Sequence, residues 1–303
     1  MLILSLASLV DVAAVFPSVI KTDLHACILH IFATILGTGS CQAALVPQSL
    51  PIFKRFVTGL ARSSPQHAIE SSTQLRGTLT RLLSTLKHAQ KREFETALAC
   101  EKNTILVSTI LLTSAAPAFE AGDPLLKRFV DELCECLKNR MTSKVAASCC
   151  RTLILLPNKG PAESALAFHL LPRLLSFLAN PSDVEGLDES RTVIAHALAS
   201  LVPTLPQLAQ KLTAMGLVVP TLLARASKEG PETYKETAAR LLELASADQS
   251  AFRGVVSGMT AAQRAFMENI IKAGGVAQER GQDVYRRDEG GDPSIALKMN
   301  FGG

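Results

Sequence analysis

Pro124, Pro172 and Pro220 stand 48 residues apart (172 − 124 and 220 − 172), and the last two head the same pattern. Leu171-Pro172-Arg173-Leu174-Leu175-Ser176-Phe177-Leu178 is followed by the polar break Asn180-Pro181-Ser182-Asp183 and by a second apolar stretch over 190–205. Val219-Pro220-Thr221-Leu222-Leu223-Ala224-Arg225 is likewise followed by Lys228-Glu229-Gly230-Pro231 and an apolar stretch over 232–244. A fixed period near the roughly 40–47 residues of HEAT and armadillo units marks stacked helix pairs. The spacing predicts an all-α chain, an α-solenoid of HEAT/armadillo-like repeats over 1–272. Each proline is placed at the first turn of a helix, where a missing N–H costs nothing.

A second echo supports repetition. Pro51-Ile-Phe-Lys-Arg-Phe-Val and Pro124-Leu-Leu-Lys-Arg-Phe-Val share Pro, Lys-Arg and Phe-Val in register, with Leu60 and Leu133 nine positions after each proline. Asp123 is a good N-cap before Pro124. Apolar residues at helical spacing predict further helices over 23–36, 70–89, 94–115 and 144–156. Thr260 and Gln263 have capping-box spacing ahead of a helix that Gly274-Gly275 is expected to end.

Composition agrees with helices more than with sheets: Trp is absent, Tyr occurs twice, and 48% of residues are hydrophobic. Residues 1–20 are apolar but lack the basic leader of a signal peptide, and Asp11 interrupts any membrane span. They read as a buried solenoid helix. An array that starts inside an apolar run reads as the C-terminal portion of a longer one.

Candidate reaction chemistry is sparse. The seven cysteines, among them Cys134, Cys136, Cys149 and Cys150, lack Cys-x-x-Cys spacing and read as reduced, buried apolar residues. His25 and His30 are five residues apart, which turns them away from each other on a helix. Gly37-Thr38-Gly39-Ser40 lacks the lysine of a phosphate loop. No catalytic residue, metal ligand, cofactor or small-molecule substrate is assigned. The expectation is a non-enzymatic scaffold.

Charge is more informative. The net charge is +4, yet Lys54, Arg55, Arg62, Arg76, Arg81, Lys87, Lys91 and Arg92 crowd residues 51–92 against Glu70 alone. Gathered on one face they would form a basic patch for an acidic protein segment or for anionic lipid headgroups at a membrane surface. No aromatic residues are interleaved for base stacking, so nucleic acid is not an expected partner. Residues 273–303, rich in Gly, Arg and Asp, read as a flexible, disordered tail. Its segment 293–301 alternates Ile295, Leu297, Met299 and Phe301 in the manner of a docking peptide.

Several words of the last third carry a family resemblance. Leu217-Val-Val-Pro-Thr-Leu-Leu, Lys235-Glu-Thr-Ala-Ala-Arg-Leu-Leu-Glu-Leu-Ala, Phe252-Arg and Phe266-Met-Glu-Asn-Ile-Ile resemble the C-terminal portion of the HEAT-repeat-containing protein 5 family. The closing Pro293-Ser-Ile-Ala-Leu-Lys-Met-Asn-Phe is similar to the terminal peptide of its fungal members, and the plant SWEETIE protein is a relative. The resemblance implies a long helical scaffold, accessory to clathrin adaptors in traffic between endosomes and the trans-Golgi network. It implies adaptor-protein complex 1 subunits as partners and a cytoplasmic place at Golgi and endosomal membranes. The other reading of the same repeats is a nuclear transport receptor or an assembly scaffold.

Overall fold

The computed structural model describes residues 2–15, 22–37, 45–61, 68–89, 94–156, 160–180 and 186–283. They form thirteen α-helices, with no strand among the described residues. The first five are α1 (Leu2–Val15), α2 (Thr22–Gly37), α3 (Leu45–Ala61), α4 (Ala68–Ala89) and α5 (Phe94–Ser114). Then come α6 (Pro124–Lys138), α7 (Ser143–Ile154), α8 (Pro161–Ala179) and α9 (Asp188–Leu201). The last four are α10 (Leu208–Glu229), α11 (Tyr234–Ala247), α12 (Gln249–Ser257) and α13 (Ala261–Asp283). Odd-numbered helices pack on odd-numbered neighbours and even on even, so the chain builds two layers by alternation. Each layer buries an apolar stripe against the other, and one continuous core runs from Val10 to Ile270. This is the expected helical solenoid.

The stripes explain the helices. In α8, Leu166, Leu170, Leu174 and Leu178 recur at i+4 and all are fully buried. In α10 the same role falls to Met215, Val218, Val219, Leu222 and Ala226. Both stripes run straight through a proline, which corrects the expectation from spacing: Pro172 and Pro220 lie inside α8 and α10, not at their first turns. Pro51 is also internal, to α3. An interior proline costs about 3 kcal/mol or more. Burying two further turns of leucines or valines upstream offsets that cost, at roughly 1.5–3 kcal/mol per side chain. Pro124 does occupy the first turn of α6, and the Oδ1 of its N-cap Asp123 accepts from Leu125 N–H at 3.0 Å. The three prolines are therefore not equivalent.

The Pro51 and Pro124 echo also acquires a different meaning. Phe56, Val57 and Leu60 are buried as are Phe129, Val130 and Leu133, so the shared residues face the core alike. Yet α3 belongs to the odd layer and α6 to the even one. The truer repeat lies in hydroxyl residues at the N-terminal ends of odd helices. Ser143, Ser190 and Thr237, on α7, α9 and α11, are 47 residues apart and all buried (190 − 143 and 237 − 190).

At the chain ends two further expectations change. α1 buries Val10 but leaves Leu4 at 72% and Val12 at 49% exposure, so it is only half covered. α13 runs through Gly274-Gly275 to Asp283. A Cβ on Gly274 would sit 2.5 Å from the Ala238 Cβ, so this glycine serves the close approach of α13 to α11 rather than a helix stop. The capping box does form: Gln263 N–H donates to Thr260 Oγ1 at 3.2 Å, and Thr260 N–H to Gln263 Oε1 at 3.0 Å. No described helix is long and apolar enough to cross a membrane.

Candidate functional site

A buried cluster of charges joins α9, α10 and α11. Arg225 and Glu229 are one helical turn apart on α10, and Arg225 Nε donates to Glu229 Oε2 at 2.7 Å. The other oxygen of Glu229 accepts from Arg191 Nη1 on α9, also at 2.7 Å. Arg225 Nη1 then donates to Glu236 Oε1 on α11 at 3.2 Å, and Thr192 Oγ1 to Glu236 Oε2 at 3.0 Å. The Arg191 guanidinium also lies over the Phe177 ring of α8, 5.6 Å from its centroid. The arginine side chains are only 4% and 2% exposed. Two cations and two carboxylates balance, which is the condition for burying such groups at all.

Local sequence makes this geometry possible. Gly230 takes φ +84°, a left-handed conformation suited to glycine, and ends α10 directly after Glu229. The chain can then turn at once into α11 and bring Glu236 back over Arg225. Lys228 Nζ donates to the Ala179 carbonyl at the end of α8 at 2.6 Å, fastening the same corner. Of these groups, only Arg225 and Glu229 are adjacent on a helix face in the sequence; the other contacts join residues up to 49 positions apart.

The basic stretch is distributed rather than gathered. Arg55 pairs with Asp11 of α1 at 2.7 Å, Arg76 with the buried Asp123 at 2.8 Å, and Arg81 contacts the His30 Nδ1 of α2. Lys54, exposed on α3, has no carboxylate partner among the described residues. Arg62, Lys91, Arg92 and the Lys87 side chain lie outside the described residues, as do Ile295, Leu297, Met299 and Phe301. Three of the four described cations therefore tie helices together.

The cysteines divide likewise. Cys134, Cys136, Cys149 and Cys150 are buried in α6 and α7, and burial raises all four thiols: Cys136 to about 12, Cys149 to about 11. Such thiols stay protonated and are poor nucleophiles. Cys27 departs from the expectation of uniform burial, being exposed on α2, and Cys41 lies outside the described residues. Among the described residues no three His, Cys, Asp or Glu side chains converge as metal ligands.

These parts assemble a scaffold whose internal charges neutralise one another. No curated protein and no solved structure matches the chain. Residues 122–284, which begin one position before the N-cap of α6 and extend through α13, match the family described as LAA1-like, C-terminal TPR repeats. The 47-residue spacing of Ser143, Ser190 and Thr237 is longer than the roughly 34 residues of an ordinary TPR unit. This is the family to which the resemblance of the last third pointed, and the chain belongs to the LAA1-like family of helical-repeat scaffolds.

Proposed function

We propose that the chain is a non-enzymatic scaffold in clathrin-adaptor-dependent traffic between endosomes and the trans-Golgi network. It works on the cytoplasmic side of those membranes, with adaptor-protein complex 1 subunits as partners. The observation that carries the reading is the family match over 122–284, together with a stack whose buried arginines and carboxylates pair with one another across helices. Solenoids of this kind present extended surfaces to other proteins. Cations of the 51–92 stretch, Lys54 foremost, supply a weak peripheral contact with anionic headgroups.

The test immobilises the purified chain and passes over it, separately, purified adaptor-protein complex 1 and a GTP-loaded Ran-type GTPase. Retention of the adaptor complex alone is the expected result. Retention of the GTPase alone would move the chain to the nuclear transport receptors, and retention of neither would sink the adaptor reading.

A further inference from the structure

A groove of about 470 Å³ crosses the odd layer where α3, α5 and α7 meet. Leu106 and Ile110, one turn apart on α5, and Val145 of α7 line it, with the nearly inaccessible Cys149 beneath. All three aliphatic side chains are only partly buried, so they remain open to a ligand. The wall hydroxyls are committed to their own helices. Thr109 donates to the Ile105 carbonyl at 2.7 Å, Thr113 to Ile110 at 3.1 Å, Ser148 to Lys144 at 3.0 Å and Thr152 to Ser148 at 2.9 Å. What the threonines offer the groove is mainly methyl surface.

Among the described residues, the charged side chains that line this groove are Lys54 and Lys144, and none is a carboxylate. Lys54 has no carboxylate partner among the described residues. Lys144 pairs with Glu189 at 2.5 Å, but the two side chains are 67% and 64% exposed. A pair so exposed is weak and yields readily to a competing carboxylate. An aliphatic trough with two ammonium groups selects for the complementary ligand.

We propose that this groove docks an acidic–aliphatic peptide segment of a partner protein. Its aliphatic side chains rest on Leu106, Ile110 and Val145, and its carboxylates meet Lys54 and Lys144. The inference goes beyond the adaptor reading and stands whether or not that complex is the partner.

The test is a fluorescence-anisotropy titration of the full chain against a fluorescein-labelled peptide alternating Ile or Leu with Asp or Glu. A counterpart carrying Asn and Gln serves as the comparison. Saturable binding is expected, weaker by about fivefold or more for the uncharged counterpart and for the Lys54→Glu, Lys144→Glu double variant. Both lysines are exposed, so the double variant keeps its helical circular dichroism. Ile110→Asp is expected to weaken both peptides together. Equal affinity of the two peptides, undiminished binding by the charge-reversed chain, or no saturable binding would each overturn the proposal.

Discussion

The Ser190 hydroxyl donates to the Ser143 hydroxyl at 3.0 Å, joining α9 to α7 across 47 residues of sequence. Ser143 passes the chain on to the Arg140 carbonyl. Thr237, one interval further on, is equally buried, but its hydroxyl has no hydrogen-bond partner among the described residues. Removing a bonded hydroxyl and removing an unpaired one should therefore have opposite outcomes. Ser190→Ala is expected to lower unfolding stability by about 1 kcal/mol, and Thr237→Val to leave it unchanged or raise it by up to about 1 kcal/mol. Urea denaturation followed by circular dichroism reads both; a loss from Thr237→Val would show that the Thr237 hydroxyl makes a stabilising hydrogen bond.

Gly274 provides a second contrast. Alanine is worth about 1 kcal/mol over glycine in a helix, but here its Cβ would lie 2.5 Å from that of Ala238. Gly274→Ala is expected to destabilise by about 1–3 kcal/mol, because two backbones must separate. At Gly77 of α4 no described atom beyond the backbone of its own helix lies within 4 Å of the added Cβ, and Gly77→Ala is expected to stabilise by up to about 1 kcal/mol. Adding Ala238→Gly should restore part of what Gly274→Ala loses, a coupling that a double-mutant cycle measures.

Breaking the ion network is expected to be the costliest single change. Glu229→Ala leaves Arg191 and Arg225 buried without their shared carboxylate, a loss of about 3–5 kcal/mol. Glu135→Ala removes only the exposed partner of Lys138, and should change stability by under about 1 kcal/mol. Thermal unfolding of the two variants side by side distinguishes them, and similar shifts would mean that the buried network contributes no more than a surface pair.

The raised thiols predict an alkaline limit to stability. Cys136 and Cys149 hold their protons to about 12 and about 11 when folded, against 9.0 ordinarily. Between these values the unfolded chain has released protons that the folded chain retains, so stability falls as pH rises. Below pH 9 this contribution is fully present; it is lost progressively toward 11 and 12. Replacing both residues with alanine should flatten that decline in a pH series of urea midpoints. At pH 8, native Cys27 should react with a thiol reagent well before the four buried cysteines of α6 and α7.

Particular residues show what was legible before folding. The i+4 run of Leu166, Leu170, Leu174 and Leu178 specifies a one-faced helix from its own spacing, and the Thr260–Gln263 cap is equally local. Proline spacing alone misplaces the starts of α8 and α10, because the apolar stripe continues through Pro172 and Pro220 and burial outweighs the proline. The basic residues of 51–92 are visible as a run. Their partners Asp11, Asp123 and His30 come from other helices, and no local pattern announces them.

The sequence by itself determined an all-helical repeat chain, since a stripe of period 3.6 depends only on neighbours a turn away and on the hydrophobic gain of covering it. Tertiary structure alone decided which charges are spent, which glycine is indispensable and where a groove opens. Arg191 meets Glu229, and Gly274 meets Ala238, only after separate helices have docked. Those outcomes depend on the distance between packed axes, which no single helix encodes.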